Sequence, residues 1–166
     1  MQKFEKQIKF KISYNQKFIE YCPLAIDYLE KLTKKVKNNG GGILIIDYGY
    51  TSKIITNTLQ AVSKHKYCNV LDGFGKSDIT YNLSFNLINQ VIKKTGLLST
   101  LTTTQEKFLT KLGILERAEI LSKNMPFSKK IDIYYRVKRL IDKNQMGNLF
   151  KVMFITNKKN KFNLGF

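Results

Sequence analysis

The chain has 166 residues, 43% hydrophobic and 25% charged, enough for one domain with a core of its own. A formal charge of +17 brings nucleic acid or an acidic surface into consideration, but only Arg117, Arg136 and Arg139 among the 29 Lys and Arg residues are Arg. The lysines are spread along the whole chain, whereas base and phosphate readout favours the planar fork of Arg. No apolar run approaches the ~18 residues that span a bilayer.

The opening "MQKFEKQIKFKISYNQKF" lacks the apolar stretch of a secretory signal and the Arg of a mitochondrial presequence. A soluble intracellular chain is expected. Residues 8–14, "IKFKISY", alternate as a half-exposed strand does. Cys22-Pro23 then opens a helix, Pro suiting the first helical position. Leu24, Tyr28, Leu29, Leu32 and Val36 predict its apolar face, and Asn38-Asn39-Gly40 its end.

"GGGILIIDYGY" follows at 40–50. Four apolar residues without alternation predict a strand buried on both faces, as in a helix-covered parallel sheet. In such sheets ligands gather beyond the carboxyl ends of strands, where Asp47 stands. Residues 51–64 fit a helical face but carry β-branched residues that favour an extended form. "LDGFGKSD" at 71–78 reads as a loop, 83–94 as an amphipathic helix closed by Gly96, and "LLSTL" as a short strand. Thr103 three residues before Glu106 has capping-box spacing. Phe108, Leu109 and Leu112 supply that helix's face. Helices at 114–123 and 131–141 follow, then the buried strand "LFKVMFI" at 149–155 and the polar tail "TNKKNKFNLGF".

The glycines carry no phosphate fingerprint. Such a fingerprint follows a strand and opens a helix, whereas Gly40, Gly41 and Gly42 precede a strand. His65 is the only histidine, and no Ser or Cys sits in a nucleophile elbow. Cys22 and Cys68 read as reduced thiols, and His65 with Cys68 lacks a second ligand pair, so no metal site is expected. Asp47 and Asp78, each in a Gly, Tyr or Thr-rich turn, are the carboxylates of interest, with loop capping as the alternative.

"GGGILIIDYGY", "TLQAVSKH", "GFGKSDIT", "TTTQEKFLTKLGILERAEIL" and "RLIDKNQMGNLFKV", in that order, resemble the carboxyl-terminal half of the MidA-type S-adenosylmethionine-dependent methyltransferases. These are related to the mitochondrial complex I assembly-factor arginine methyltransferase. The resemblance runs from about Glu20 to about Ile155. It implies an α/β fold, part of a Rossmann-like methyltransferase sheet, with residues 1–155 as the domain's carboxyl-terminal part and 156–166 as a polar basic tail. "ILIID" would be the fifth strand, "LLSTL" near the sixth and "FKVMFI" an antiparallel seventh, with the "TLQAV" segment extended.

The family's cofactor motifs, a Glu-x-Gly-Pro-Gly-x-Gly turn and an acidic Asn-Glu segment, do not occur here. The resemblance therefore implies a chain that is inactive alone, without cofactor-binding residues, either half of a split enzyme or a remnant. S-adenosylmethionine would be held by a separate amino-terminal half. The implied substrate is an arginine on a partner protein, a respiratory complex I subunit in the family. Asp47 and Tyr48 would line the catalytic crevice, and Gly49, Tyr50, His65, Asp78, Thr80 and Gln105 would face substrate. A bacterial member would be cytoplasmic, and eukaryotic relatives mitochondrial. The other readings are a non-catalytic protein-binding remnant and a basic nucleic-acid-binding protein, which would lose affinity steeply with salt.

Overall fold

A computed structural model of the chain describes residues 17–54, 57–73, 75–94, 96 and 98–166, together with positions 2, 5, 6 and 11. The strand expected at 8–14 lies, all but Lys11, outside the described residues. Helix α1, Pro23–Asn39, begins with Pro in its first turn, and Gly40 closes it at φ 78° with its N–H bonded to the Val36 carbonyl. Its buried side chains are Ile26, Leu29, Thr33 and Val36. The expected face is thus rotated: Leu24, Tyr28 and Leu32 are exposed. Thr33 takes a core position because its hydroxyl donates to the Glu30 carbonyl at 2.9 Å, which satisfies the buried polar group.

Strand β1, Gly42–Tyr50, leads to a small three-stranded sheet of β2 (Gln60–Ser63), β3 (Lys66–Cys68) and β4 (Asp78–Thr80), ordered β3-β2-β4 and antiparallel throughout. Among its described residues the segment at 51–64 is therefore loop, strand and turn, not helix. Next come β5 (Leu83–Ser84) and α2 (Phe85–Lys93), which the Ser84 hydroxyl caps by accepting from Leu87 N at 3.3 Å. Strand β6 (Leu98–Thr104) precedes α3 (Gln105–Lys111), α4 (Ile114–Ser122), α5 (Phe127–Ile141), the single turn α6 (Met146–Leu149) and β7 (Phe150–Asn157). The cap of α3 is Thr104, one residue later than the capping-box spacing suggests: its hydroxyl accepts from Lys107 N at 3.3 Å.

The main sheet has the order β5-β1-β7-β6. Strand β7 runs antiparallel to both β1 and β6, so the last strand in sequence lies between two earlier ones. This is the reversed strand that the resemblance implied. Ile43 and Ile45 pack on one side against Ile26, Leu29 and Val36 of α1 and the apolar face of α2. On the other side Phe108 and the tail residue Phe166 meet at a tilt, 5.3 Å apart, and Phe162 and Phe166 meet Phe154 at 5.6 and 6.1 Å.

Strand β1 is not buried on both faces as its composition suggested. Leu44 and Ile46 are 50% and 48% exposed. Among the described residues its second edge is bonded only at Gly49 and Tyr50, to the short parallel β5. No helix of the described residues is long and apolar enough to cross a membrane.

Candidate functional site

A cavity of about 280 Å³ opens where β1, the start of α1 and the β5–α2 junction meet, lined by Glu20, Cys22, Asp47, Tyr81 and Ser84 among apolar side chains. Two carboxylates thus face one space. Asp47 is placed there by strand alternation, on the side of Ile43 and Ile45. Its Oδ1 accepts from the Tyr48 amide at 2.8 Å. Glu20 is fixed just before α1: Oε1 accepts from Thr58 N at 2.8 Å and Oε2 from the Thr58 hydroxyl at 2.6 Å. That hydroxyl accepts in turn from Asn82 N at 2.9 Å. Three distant segments are thereby tied around the cavity mouth.

The electrostatics record how close these groups lie. Burial pushes the Tyr81 phenol above its ordinary value, and the charges of Cys22, Glu20 and Asp47 push it further. Burial likewise raises Tyr50; the Ser84 hydroxyl opposes part of that rise and Glu20 adds to it. The Tyr50 hydroxyl is enclosed yet makes no hydrogen bond of acceptable geometry among the described residues. The Arg136–Asp132 ion pair, at 3.0 Å, is solvent-facing and far along the chain, and no cation among the described residues pairs with Glu20 or Asp47. Two acids beside phenols and an apolar wall suit a cationic, partly apolar guest.

The expected site residues do not all converge. Tyr48 points to the opposite face from Asp47 and meets Phe150 edge-on at 5.5 Å. Gly49 is required by packing: a Cβ there would lie 2.2 Å from the Leu83 carbonyl oxygen and 2.8 Å from the Phe85 ring. Tyr50 stands beside Ser84 in the β1–β5 register. His65 is exposed at the tip of the β2–β3 hairpin, where Lys64 and His65, with φ of 49° and 61°, form a two-residue turn of the mirror-image kind. Asp78 is exposed on β4 opposite Val62, and Thr80 is half-buried opposite Gln60. Gln105 is buried elsewhere and donates to the Leu140 carbonyl at 2.9 Å, tying α3 to α5.

Sequence reasoning missed Glu20, Tyr81 and Ser84 as site residues. The Cys-Pro helix start placed Glu20 at an element boundary, but nothing local paired it with Thr58. No group of three or more metal-ligating side chains occurs among the described residues.

Comparison with known proteins gives a consistent result. A family model described as "Putative S-adenosyl-L-methionine-dependent methyltransferase" matches residues 1–104. "Protein arginine methyltransferase NDUFAF7, mitochondrial" of Xenopus tropicalis is 31% identical over 137 residues, covering 80% of this chain and 31% of the relative. The Danio rerio protein of the same name is 25% identical over 143 residues, 86% of this chain and 33% of the relative. The chain thus spans about a third of the length of the curated relatives it matches.

Two solved structures from Burkholderia thailandensis share the fold at 22% identity. One has a TM-score of 0.68 and covers 86% of this chain and 39% of its own. The other, bound to S-adenosyl-homocysteine, has a TM-score of 0.69 over 85% of this chain and 37% of its own.

Proposed function

From the chain's membership of this S-adenosyl-L-methionine-dependent methyltransferase family, we propose that it forms the carboxyl-terminal, substrate-holding part of a protein arginine methyltransferase. The observation that carries this reading is the convergence of Glu20 and Asp47 on one cavity at the carboxyl end of β1. A guanidinium presents five donors in a planar fork that matches carboxylate oxygens. Asp47 has one oxygen outside the Tyr48 bond, and Glu20 retains lone pairs beyond its two bonds to Thr58. The Tyr81 ring supplies a π face, and Ile26, Leu29 and Leu87 an apolar channel for the alkyl stem. The target would be a partner protein, with a respiratory complex I subunit as the candidate the family suggests.

S-adenosylmethionine, when bound, supplies the methyl group, but the residues described here do not fit it by themselves. Gly40 and Gly41 turn from a helix into β1, and the space beside Gly49 is filled by Leu83 and Phe85. No glycine turn among the described residues follows a strand to open a helix. The cofactor is therefore assigned to an amino-terminal part, on this chain's own longer form or on a separate one, which would cover Leu44 and Ile46. This reading has the chain alone inactive.

Two measurements test it. Calorimetry of this chain with S-adenosylmethionine is expected to show no binding; micromolar binding would overturn the division of labour. Reconstituted with the amino-terminal half, the wild type is expected to label an arginine peptide, and Asp47→Ala and Glu20→Gln to raise KM at least about tenfold. Unimpaired transfer by both variants would remove the substrate role.

A second reading, a non-catalytic protein-binding module, draws on exposed Ile79 of β4 and exposed Leu59 just before β2. Capture of a protein partner without methyl transfer by the reconstituted enzyme would favour it. Nucleic-acid binding has only the dispersed lysines behind it.

A further inference from the structure

Helix α5 has three stripes, and the fold uses one. Ile133, Val137 and Leu140 are half-buried on the side facing α3, α4 and α6. Asp132 and Arg136 form the i,i+4 ion pair on a second stripe. The third carries Phe127, Ile131, Tyr134 and Tyr135, at the i, i+4, i+7 and i+8 spacing of one helical face. All four are exposed, Phe127 to 78%, Ile131 to 53% and Tyr135 to 68%. Lys130 and Lys138 line the same shallow hollow. The helix also bears Lys129 and Arg139, with Asp132 as its sole acid.

We propose that this face of α5 seats the protein on an anionic lipid surface. Charge decides against a second copy, because opposed faces would bring Lys130 and Lys138 against their own kind on molecules of charge +17. It also disfavours a protein groove: closure over the aromatic stripe would take two ammonium groups out of water. A bilayer interface makes neither demand. Phe127 and Ile131 enter the acyl boundary and the two tyrosines sit at headgroup depth. The lysine stems lie along the apolar surface while their ammonium groups reach lipid phosphates.

The test uses Tyr135→Trp, at an exposed position, as a fluorescent reporter in this otherwise tryptophan-free chain. Phosphatidylcholine vesicles carrying about a third phosphatidylserine are expected to shift its emission to the blue, and brominated acyl chains to quench it. Pure phosphatidylcholine should bind at least about tenfold more weakly. In the reporter background, Ile131→Ser and Phe127→Ser each keep every charge and should weaken binding at least about tenfold. Equal binding by both variants would mean that charge alone holds the protein, and would overturn the proposal. So would absence of any response to anionic vesicles, or a response to an acidic helical peptide in their place.

Discussion

Asp47 stands directly opposite Lys151 across the antiparallel β1–β7 ladder, yet the two form no ion pair. The Lys151 ammonium donates to the Asn148 carbonyl, and Asp47 accepts from its neighbour Tyr48. A cation thus lies within one strand spacing of the cavity acid without pairing with it.

Burial lowers the Lys151 pKa from its ordinary value. Between that lowered value and the unfolded value near ~10.4, the unfolded chain holds more protons, so folding stability rises with pH there. The burden of the charged ammonium is fully present below that window. Lys151→Met should therefore raise the denaturation midpoint at neutral pH, by at most about 0.5 kcal/mol after solvent screening. The gain should shrink as pH approaches ~10.4. Urea titrations across that range would check both signs.

The tyrosines have the opposite linkage. Tyr50 and Tyr81 are raised in the folded state, so their contribution is intact below ~10 and is lost as pH rises through the folded values. Tyr50→Phe removes an enclosed hydroxyl without a partner. It should be neutral or stabilising by up to about 1 kcal/mol at pH 7. Spectrophotometric titration should then show one fewer late-ionising phenol.

Glu20→Gln keeps the shape but leaves one acceptor oxygen for the two Thr58 donors, so one bond is lost or reversed, and Glu20→Ala removes both. Glu20→Ala should destabilise by about 1–3 kcal/mol, because it leaves the Thr58 donors unpaired. Faster hydrogen exchange at the Thr58 amide would locate the loss.

Gly49→Ala should destabilise by about 1–3 kcal/mol, as its Cβ meets a backbone carbonyl that cannot swing aside. Gly42→Ala meets chiefly the Phe154 ring, a side chain that can shift, and should cost less. Thermal unfolding of the two variants ranks them.

Local rules exposed much of the fold. Cys22-Pro23 and Asn39-Gly40 mark both ends of α1, and the run before Thr156 marks β7 as buried. What escaped was set by long-range partners. Thr33 enters the core only because a carbonyl one turn back accepts its hydroxyl, and that phases α1 differently from its leucines. Thr104, not Thr103, caps α3, because the helix begins only at Gln105 and the Thr104 hydroxyl reaches Lys107 N. The cavity was half legible: Asp47 sits at a strand end, but Glu20 and Tyr81 reach it through Thr58 and Asn82, contacts that no spacing rule encodes. His65, which the resemblance would face to substrate, stands at a hairpin tip with φ 61°, a left-handed backbone in which His is enriched among non-Gly residues.

The position of β7 also bears on how the molecule is made. Val152, Met153 and Ile155 are fully enclosed, and their strand bridges β1 and β6. During synthesis β1 and β6 emerge first with no direct ladder between them. The sheet's middle must wait for residues 150–157 to leave the ribosome and insert between them. Until then both strands present open edges, the state in which chaperone capture or aggregation competes with folding.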